Sequence, residues 1–414
     1  MADGGGIEEV SGAKVRRSRL LRRLRFGLRR VLMLVPHLLA RRFTRTVPGK
    51  IAFMTHNSAY ACNPKYIYEE LKRRDPGRDT VWIVAKRECA KDYPADAKIA
   101  FAGTLRCLRE VYSAQAWIDN GIAFSYDFER RPDQMHVQTM HGSLGIKSIA
   151  NGYENRKKSG RAGRRSARRE SELTDCVVTN SAFEEGVFRG VYWKNTPMLR
   201  LGHARTDPLF GNGGRPAAEI RAGLARRYGL DADARLALFA PTYRTDLSAK
   251  DLDFGFAKMA DALAAKFGGD WRLLVRLHGS TRSVRVSCDG AKVVDATDWP
   301  DMQELMMVAD AGITDYSSWI FDYVVTGRPG FIYASGADRY LKATGLCYPL
   351  EETPFPVAYD AETLFANVAA FDAADYARRV KAFLGRMECV DDGHSAERVA
   401  DWLEKTLAGK EAHG

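Results

Sequence analysis

Ala311-Gly-Ile-Thr-Asp-Tyr-Ser-Ser-Trp-Ile-Phe-Asp-Tyr323 is the stretch from which the rest of the chain is read. It opens as a short apolar strand, passes through a polar turn and runs directly into a helical pattern. Thr314, Ser317 and Ser318 fall where the strand ends and the helix begins. Their hydroxyls are expected to converge there with unsatisfied backbone N–H groups and the positive end of the helix dipole. Such a place suits an anion, and phosphate is the natural first candidate.

Working outward, apolar runs at 51–55, 80–85, 98–102, 116–119, 136–140, 176–179 and 198–201 alternate with helical patterns such as 64–72 and 182–188. A second set follows at 236–239, 272–277, 292–295, 311–314 and 330–333. Short apolar strands separated by helices predict α/β domains with parallel sheets covered on both faces, here two Rossmann-like, doubly wound domains. Turn formers gather between Thr206 and Arg215. The expected division is therefore 1–48 as a disordered start with a basic amphipathic segment, 49–207 as the first domain and 208–414 as the second. Neither domain carries a Gly-x-Gly-x-x-Gly loop or a Walker P-loop, which argues against a dinucleotide enzyme or a P-loop NTPase.

The net charge of +11 is local rather than global. Residues 14–45 hold twelve Lys and Arg and no acidic residue, which accounts for the whole excess. Within this run, Leu20, Leu21, Leu24, Leu28, Val31, Leu32 and Val35 recur at helical spacing, while Arg16, Arg19, Arg22, Arg23, Arg29 and Arg30 supply positive charge. An apolar stripe beside so many guanidiniums suits an anionic lipid surface; a helix folded against the protein or touching nucleic acid is the alternative. Val31 to Ala40 is too short, and too interrupted by Pro36 and His37, to span a bilayer. A second basic run, 156–169, has no interleaved aromatics for stacking bases. No cleavable leader is expected, since the first apolar stretch follows many Arg and lacks a small-residue cleavage site. The seven scattered cysteines form no Cys-x-x-Cys pair and read as free thiols in a reducing compartment, the cytosol.

Two histidines leave strands in similar settings. His141 follows the run 136–140 and precedes Gly142, which sets it at the carboxyl edge of a sheet, where an imidazole removes a proton near neutral pH or simply caps the turn. His278 repeats the arrangement in the second domain with Arg276 two residues earlier on the same strand face. Thr242 and Arg244 also leave a strand, and the guanidinium fork matches phosphate oxygens. Asp322 lies one helical turn after Ser318, placed for ribose hydroxyls or for solvent. No carboxylate cluster demands a metal.

Asn63-Pro-Lys-Tyr-Ile-Tyr-Glu-Glu-Leu71, Gln138-Thr-Met-His-Gly142, Gly202-His-Ala-Arg-Thr-Asp207, Phe239-Ala-Pro-Thr-Tyr-Arg244, Arg276-Leu-His278, Ile313-Thr-Asp-Tyr-Ser-Ser318 with Phe321-Asp-Tyr323, and Asp391-Asp-Gly-His-Ser-Ala-Glu-Arg398 together resemble the CDP-glycerol glycerophosphotransferase family, the teichoic-acid primases and polymerases of bacteria. The resemblance covers about residues 50 to 400. It implies a GT-B fold, two Rossmann-like domains facing across a cleft, with the donor nucleotide on the second. It implies His141 as the base, with His278, Arg244, Thr314, Ser317 and Ser318 on the pyrophosphate; Asp322 toward ribose or polyol follows from GT-B analogy. Met140 stands where the family usually has Trp, and His203-Ala204 where it usually has Tyr-Pro.

The expectation is transfer of glycerol phosphate, or a related polyol phosphate, from a CDP-activated donor to a hydroxyl of a lipid-linked glycan or polyol-phosphate acceptor, with release of CMP. The work would take place peripherally at the cytoplasmic face of the bacterial membrane, against anionic lipid and without nucleic acid. CDP-glycerol enters as a substrate, no cofactor is required, and Mg2+ is compatible with such a donor. A GT-B glycosyltransferase using a nucleotide sugar is the rival reading.

Overall fold

Lys50-Ile-Ala-Phe-Met54 is shielded on both faces, the burial of a central parallel strand. The computed structural model describes residues 7–9, 33–121, 128–145, 169, 172–231, 233–242, 252–278, 284–288, 292–337 and 345–411. These form two compact units.

The first unit holds residues up to His141, 149–214 and 388–414, apart from the first 18. Its strands are β1 (Val47–Met54), β2 (Thr80–Val84), β3 (Ile99–Phe101), β4 (Ala114–Asp119), β5 (Met135–Gln138), β6 (Cys176–Thr179) and β7 (Met198–Arg200). They pair in the order β3-β2-β1-β4-β5-β6-β7, every pair parallel. Helices α1 (Leu34–Phe43), α2 (Cys62–Arg74), α3 (Leu105–Ser113) and α4 (Ala182–Val191) accompany the sheet. One face packs Phe53, Tyr60, Tyr68, Trp82 and Tyr93 as an aromatic cluster; the other buries Tyr112, Trp117 and Phe128. Edge-to-face contacts among these rings, such as Phe53 on Tyr68 at 5.7 Å, add to what the buried area contributes.

The second unit holds 215–387, the segment 142–148 and the first 18 residues. Its strands β8 (Arg235–Phe239), β9 (Trp271–Val275), β10 (Val293–Asp295), β11 (Ala311–Thr314), β12 (Gly330–Tyr333) and β13 (Val357–Ala358) run parallel in the order β10-β9-β8-β11-β12-β13. Its helices are α5 (Ala217–Tyr228), α6 (Phe256–Phe267), α7 (Met302–Val308), α8 (Trp319–Tyr323), α9 (Ala361–Ala369) and α10 (Ala373–Met387). A short antiparallel ribbon of Ile7–Glu9 with Val284–Val286 completes it.

The observed division differs from a single cut after residue 207. The first unit runs on to Gly214 and takes back the C-terminal helix α11 (Ser395–Glu411). Val399, Ala400, Leu403 and Leu407 on that helix enter the same core as Ile67, Leu71 and Phe53, so its apolar stripe has its partner there. The return is locked at its start. Gly202, at φ +86°, leaves no room for a side chain, since a Cβ would lie 2.2 Å from Ser395 Oγ. Asp207 accepts the first backbone N–H groups of α11, Ser395 at 3.0 Å and Ala396 at 2.6 Å, which is N-capping from a distant residue.

The N-terminal basic stripe from Leu20 to Leu32, with Arg16, Arg19, Arg22, Arg23, Arg29 and Arg30, lies outside the described residues. Helix α1 begins just after it and packs inward through Met33, His37 and Ala40. Its large apolar side chains Leu34, Val35, Leu38, Leu39 and Phe43 point outward instead, 53 to 72% exposed. All seven cysteines are free thiols.

Burial, reinforced by the Asp391 carboxylate, lifts Asp207 to about 6 from the ordinary 3.8. The folded chain then holds this proton more tightly than the unfolded one, so stability is lost as pH rises from about 4 to about 6. Asp207→Asn is expected to flatten that part of the pH–stability curve. Urea denaturation of the first unit at a series of pH values checks this, and an unchanged slope would refute the assignment.

Candidate active site

Strands β1, β4 and β5 are neighbours and parallel, so their carboxyl ends deliver three loops to one edge of the first sheet. These loops carry His56, Asn120 and His141, respectively. The Nδ1 of His141 lies 2.5 Å from the backbone carbonyl of Asn120. A carbonyl only accepts, so Nδ1 carries the hydrogen, and in the neutral ring Nε2 carries the lone pair. His141 is exposed. The Asn120 side chain accepts from the His56 backbone N–H at 2.9 Å, and the two imidazoles stack with centroids 5.0 Å apart and planes 15° from parallel. Desolvation, and then the Lys86 ammonium, lower His56 from the ordinary histidine value against the opposing pull of Asp119.

The loop that presents His141 is held under strain. Met140 has φ +49°, the left-handed region that a side chain disfavours. Asn63 Nδ2 donates to the carbonyls of Thr139 and Met140 at 2.9 and 3.2 Å, and Gln138 Oε1 accepts from Met140 N–H at 2.9 Å. Asn63 Oδ1 in turn accepts from Arg205 N–H at 3.1 Å. From there a buried polar chain runs from Arg205 Nη2 to His203 Nδ1 (3.0 Å), while His203 Nε2 lies 3.1 Å from Glu184 without hydrogen-bond geometry. It closes on Asp391, which accepts from Asn180 Nδ2 and His203 N–H, both at 2.8 Å. Three of the quoted sequence stretches, around Asn63, His203 and Asp391, therefore form one scaffold behind the His141 loop. The sequence carried their presence but not their roles, because the partners lie up to 211 residues apart.

In the second sheet, β8, β9 and β11 end level with one another: Arg276 N–H donates to Phe239 O, and Ala240 N–H to Ile313 O. Thr242, Arg276 and the 314–318 turn thus gather at one carboxyl edge. Thr242 N–H donates to Asp315 Oδ1 at 2.7 Å, while among the described residues its buried Oγ1 has no hydrogen-bond partner. Arg276 Nη2 donates to Pro300 O at 3.2 Å, and its buried Nη1 likewise lacks a partner among the described residues. Burial pulls this guanidinium below its usual range. An orphaned donor in such a place is costly unless a ligand takes it up. His278, half-buried, follows two residues on.

Two expectations change here. Thr314 is fully buried, and its hydroxyl donates inward to Ala240 O at 2.7 Å while accepting from Trp319 Nε1, so it shapes the turn. The helix after the turn, α8, has only five residues, too few for the aligned dipole of a long helix. Ser317 and Ser318 are half-buried at its start, and the Ser318 side chain caps no backbone N–H of the helix. Asp322 is buried, 4% exposed, which removes the reading of a solvated surface carboxylate. Arg244 lies outside the described residues. The segment 142–145 belongs with this unit: Tyr348 donates to Leu144 O, and a Cβ on Gly145 would lie 2.9 Å from Ser318 Cβ.

The chain is thus a protein of two α/β units with parallel sheets, one with an oriented imidazole at its sheet edge and one with buried donors at its own. The chain belongs to the CDP-glycerol:poly(glycerophosphate) glycerophosphotransferase family, which it matches over residues 38–405. It is 26% identical over 361 residues to the teichoic acid poly(glycerol phosphate) polymerase of Staphylococcus epidermidis, covering 84% of this chain and 49% of that one. It is 25% identical over 361 residues to the teichoic acid glycerol-phosphate transferase of Staphylococcus aureus, covering 84% and 91%. The chain thus spans about half the length of the first relative and nearly all of the second. In fold it is similar to the wall teichoic acid polymerase TagF, with a TM-score of 0.76 and 24% identity over 94% of this chain and 99% of that one.

Removing the Asn63 side chain leaves buried carbonyls at 139 and 140 and the Arg205 N–H without this partner. Asn63→Ala is expected to cost about 1–3 kcal/mol of stability. Chemical denaturation of the purified variant measures it, and a loss below about 0.5 kcal/mol would show that the scaffold is slack.

Proposed function

We propose that this chain transfers glycerol phosphate from CDP-glycerol to a hydroxyl of a lipid-linked or polymeric acceptor in bacterial teichoic-acid-like synthesis. The single observation that carries the reading is the Asn120 carbonyl on His141 Nδ1, which makes Nε2 the proton acceptor. In the step, the acceptor oxygen attacks the β-phosphorus as His141 Nε2 takes its proton. The new O–P bond forms while the bond from that phosphorus to the bridging oxygen breaks, and CMP leaves with the electron pair. A phosphate leaving group of low basicity needs no proton donor, so what the second unit has to supply is positive charge and hydrogen bonds.

The orphaned Arg276 Nη1 and Thr242 Oγ1 support a pyrophosphate at that edge, with His278, Ser317 and Ser318 beside it; Arg244, outside the described residues, joins the set on the family resemblance alone. Asp322 serves the ribose or the polyol. Family membership supports the donor, as does the relation to TagF, a variant of which has been soaked with CDPG. Among the described residues no group of three or more His, Cys, Asp and Glu side chains could hold a metal ion; magnesium would enter, if at all, with the donor.

Docking to an anionic membrane surface rests on α1, whose outward Leu34, Val35, Leu38, Leu39 and Phe43 continue from the Arg-rich segment. No helix among the described residues is long and apolar enough to cross a bilayer. Interfacial seating at the cytoplasmic face, rather than insertion, is the mode these side chains fit.

His141→Ala is expected to lower CMP release from CDP-glycerol with a soluble acceptor by at least about 100-fold, while the protein still binds CDP. Parallel assays with CDP-ribitol and UDP-sugars distinguish polyol-phosphate transfer from sugar transfer. Turnover that persists in the variant would overturn the assignment of the base. Leu38→Asp combined with Phe43→Asp is expected to release the protein from phosphatidylglycerol vesicles with the melting temperature unchanged. Sedimentation measures this, and continued pelleting would place the membrane contact elsewhere.

A further inference from the structure

We infer that His56 is a positioning residue for the proposed base, a stacked partner ring that orients His141 and couples its proton to a second titrating group. The inference rests on His141 acting as the base.

The geometry leaves little freedom at this edge. Asn120 binds both histidines at once, His141 through its backbone carbonyl and His56 through its side-chain oxygen. The rings that result are nearly parallel, 15° apart, at a centroid distance of 5.0 Å. The Asn120 hydrogen bond fixes one point of the His141 ring but leaves rotation about the axis through that point. A second plane lying against the ring removes this freedom, because tilting either ring would forfeit contact across its face. Gly121 holds the other side of the arrangement: a Cβ there would lie 3.3 Å from both Cβ and Nδ1 of His56, so the absence of a side chain lets His56 sit where it does.

Stacking also couples the charges. A His141 ring that takes a proton from the acceptor becomes an imidazolium against its neighbour's face. It is tolerated there only while His56 is neutral, since two like charges at this separation repel. The groups that bear on His56 come from three loops: the Lys86 ammonium after β2, which opposes its protonation; the Asp119 carboxylate at the end of β4, which favours it; and His141 itself after β5. Lys86 and desolvation outweigh Asp119, so His56 stays neutral to lower pH than an ordinary histidine. The base therefore works beside an uncharged platform at neutral pH and loses that support in acid.

The test uses the full-length chain with CDP-glycerol and a soluble acceptor. His56→Ala is expected to lower kcat about tenfold with KM within about twofold. His56→Phe, which keeps a flat ring and removes the proton site, is expected to restore most of kcat at pH 8. In the wild type, log kcat should steepen in acid toward a slope of two, and His56→Phe should show a slope of one. Nitrogen-15 NMR of the His141 ring supplies a readout independent of turnover: two titration steps in the wild type and one in His56→Phe. Gly121→Ala, whose methyl group presses on His56, should reproduce the loss seen in His56→Ala. Wild-type kcat in His56→Ala, or a single His141 titration step in the wild type, would overturn the inference. An active His141→Ala would instead sink the reading of His141 as the base, so the two failures are told apart.

Discussion

Both sheets are parallel and covered on both faces, and that constraint governs where this chain keeps its chemistry. A strand such as Thr80–Val84 is buried along its whole length, so a side chain that must meet solvent or ligand has no place on it. Polar function is driven to the carboxyl ends of the strands, where loops leave the sheet. In the first unit, the side-by-side ends of β1, β4 and β5 bring His56, Asn120 and His141 together although 85 residues separate the two histidines. In the second, β8, β9 and β11 do the same for Thr242, Arg276 and the turn at 314–318.

The two edges solve different electrostatic problems. At the first, His141 is held by a backbone carbonyl, an acceptor with no net charge. A carboxylate in that place would raise the imidazole's proton affinity and leave more of it charged at neutral pH. A carbonyl selects the tautomer without that effect. At the second edge, a buried guanidinium nitrogen and a buried hydroxyl have no partner among the described residues. The folded protein tolerates that loss of hydrogen bonding, and an anionic ligand would recover it. The first edge thus offers a lone pair, and the second offers donors to negative charge.

Much of this was legible in the chain, and the parts that were not share a physical cause. The strands could be read because each is a short run of apolar residues bounded by turn formers, as at Cys176–Thr179, which the structure reproduces residue for residue. The histidine at a strand exit was legible for the same reason. The return of α11 to the first unit was not, since its apolar stripe states that a partner is needed without saying which. Asn63 was quoted within a family stretch, yet its task is to hold two carbonyls more than 70 residues away, and a hydrogen bond of that range has no periodicity. Thr314 misled because a hydroxyl at a strand end looks the same in sequence whether it faces a ligand or the Ala240 carbonyl.

The strained backbone at Met140 shows why the scaffold behind His141 is so elaborate. A methionine in the left-handed region costs of order 1–3 kcal/mol unless its surroundings leave it no alternative. Asn63 and Gln138 together clamp both carbonyls and the N–H around that residue, and Asn63 is in turn fixed through Arg205 and His203. Relaxing Met140 to an ordinary strand conformation would swing the next residue away from the Asn120 carbonyl, so the strain and the imidazole's orientation are two ends of one constraint. The network is buried because water would compete for each of those bonds, and a loop free to relax would lose its aim. His203, in the stretch where the chain departs from the usual Tyr-Pro of its family, is a working member of that network, its Nδ1 accepting from the Arg205 guanidinium on one side of the ring while Nε2 faces Glu184 on the other. The departure therefore keeps a polar link to the His141 loop.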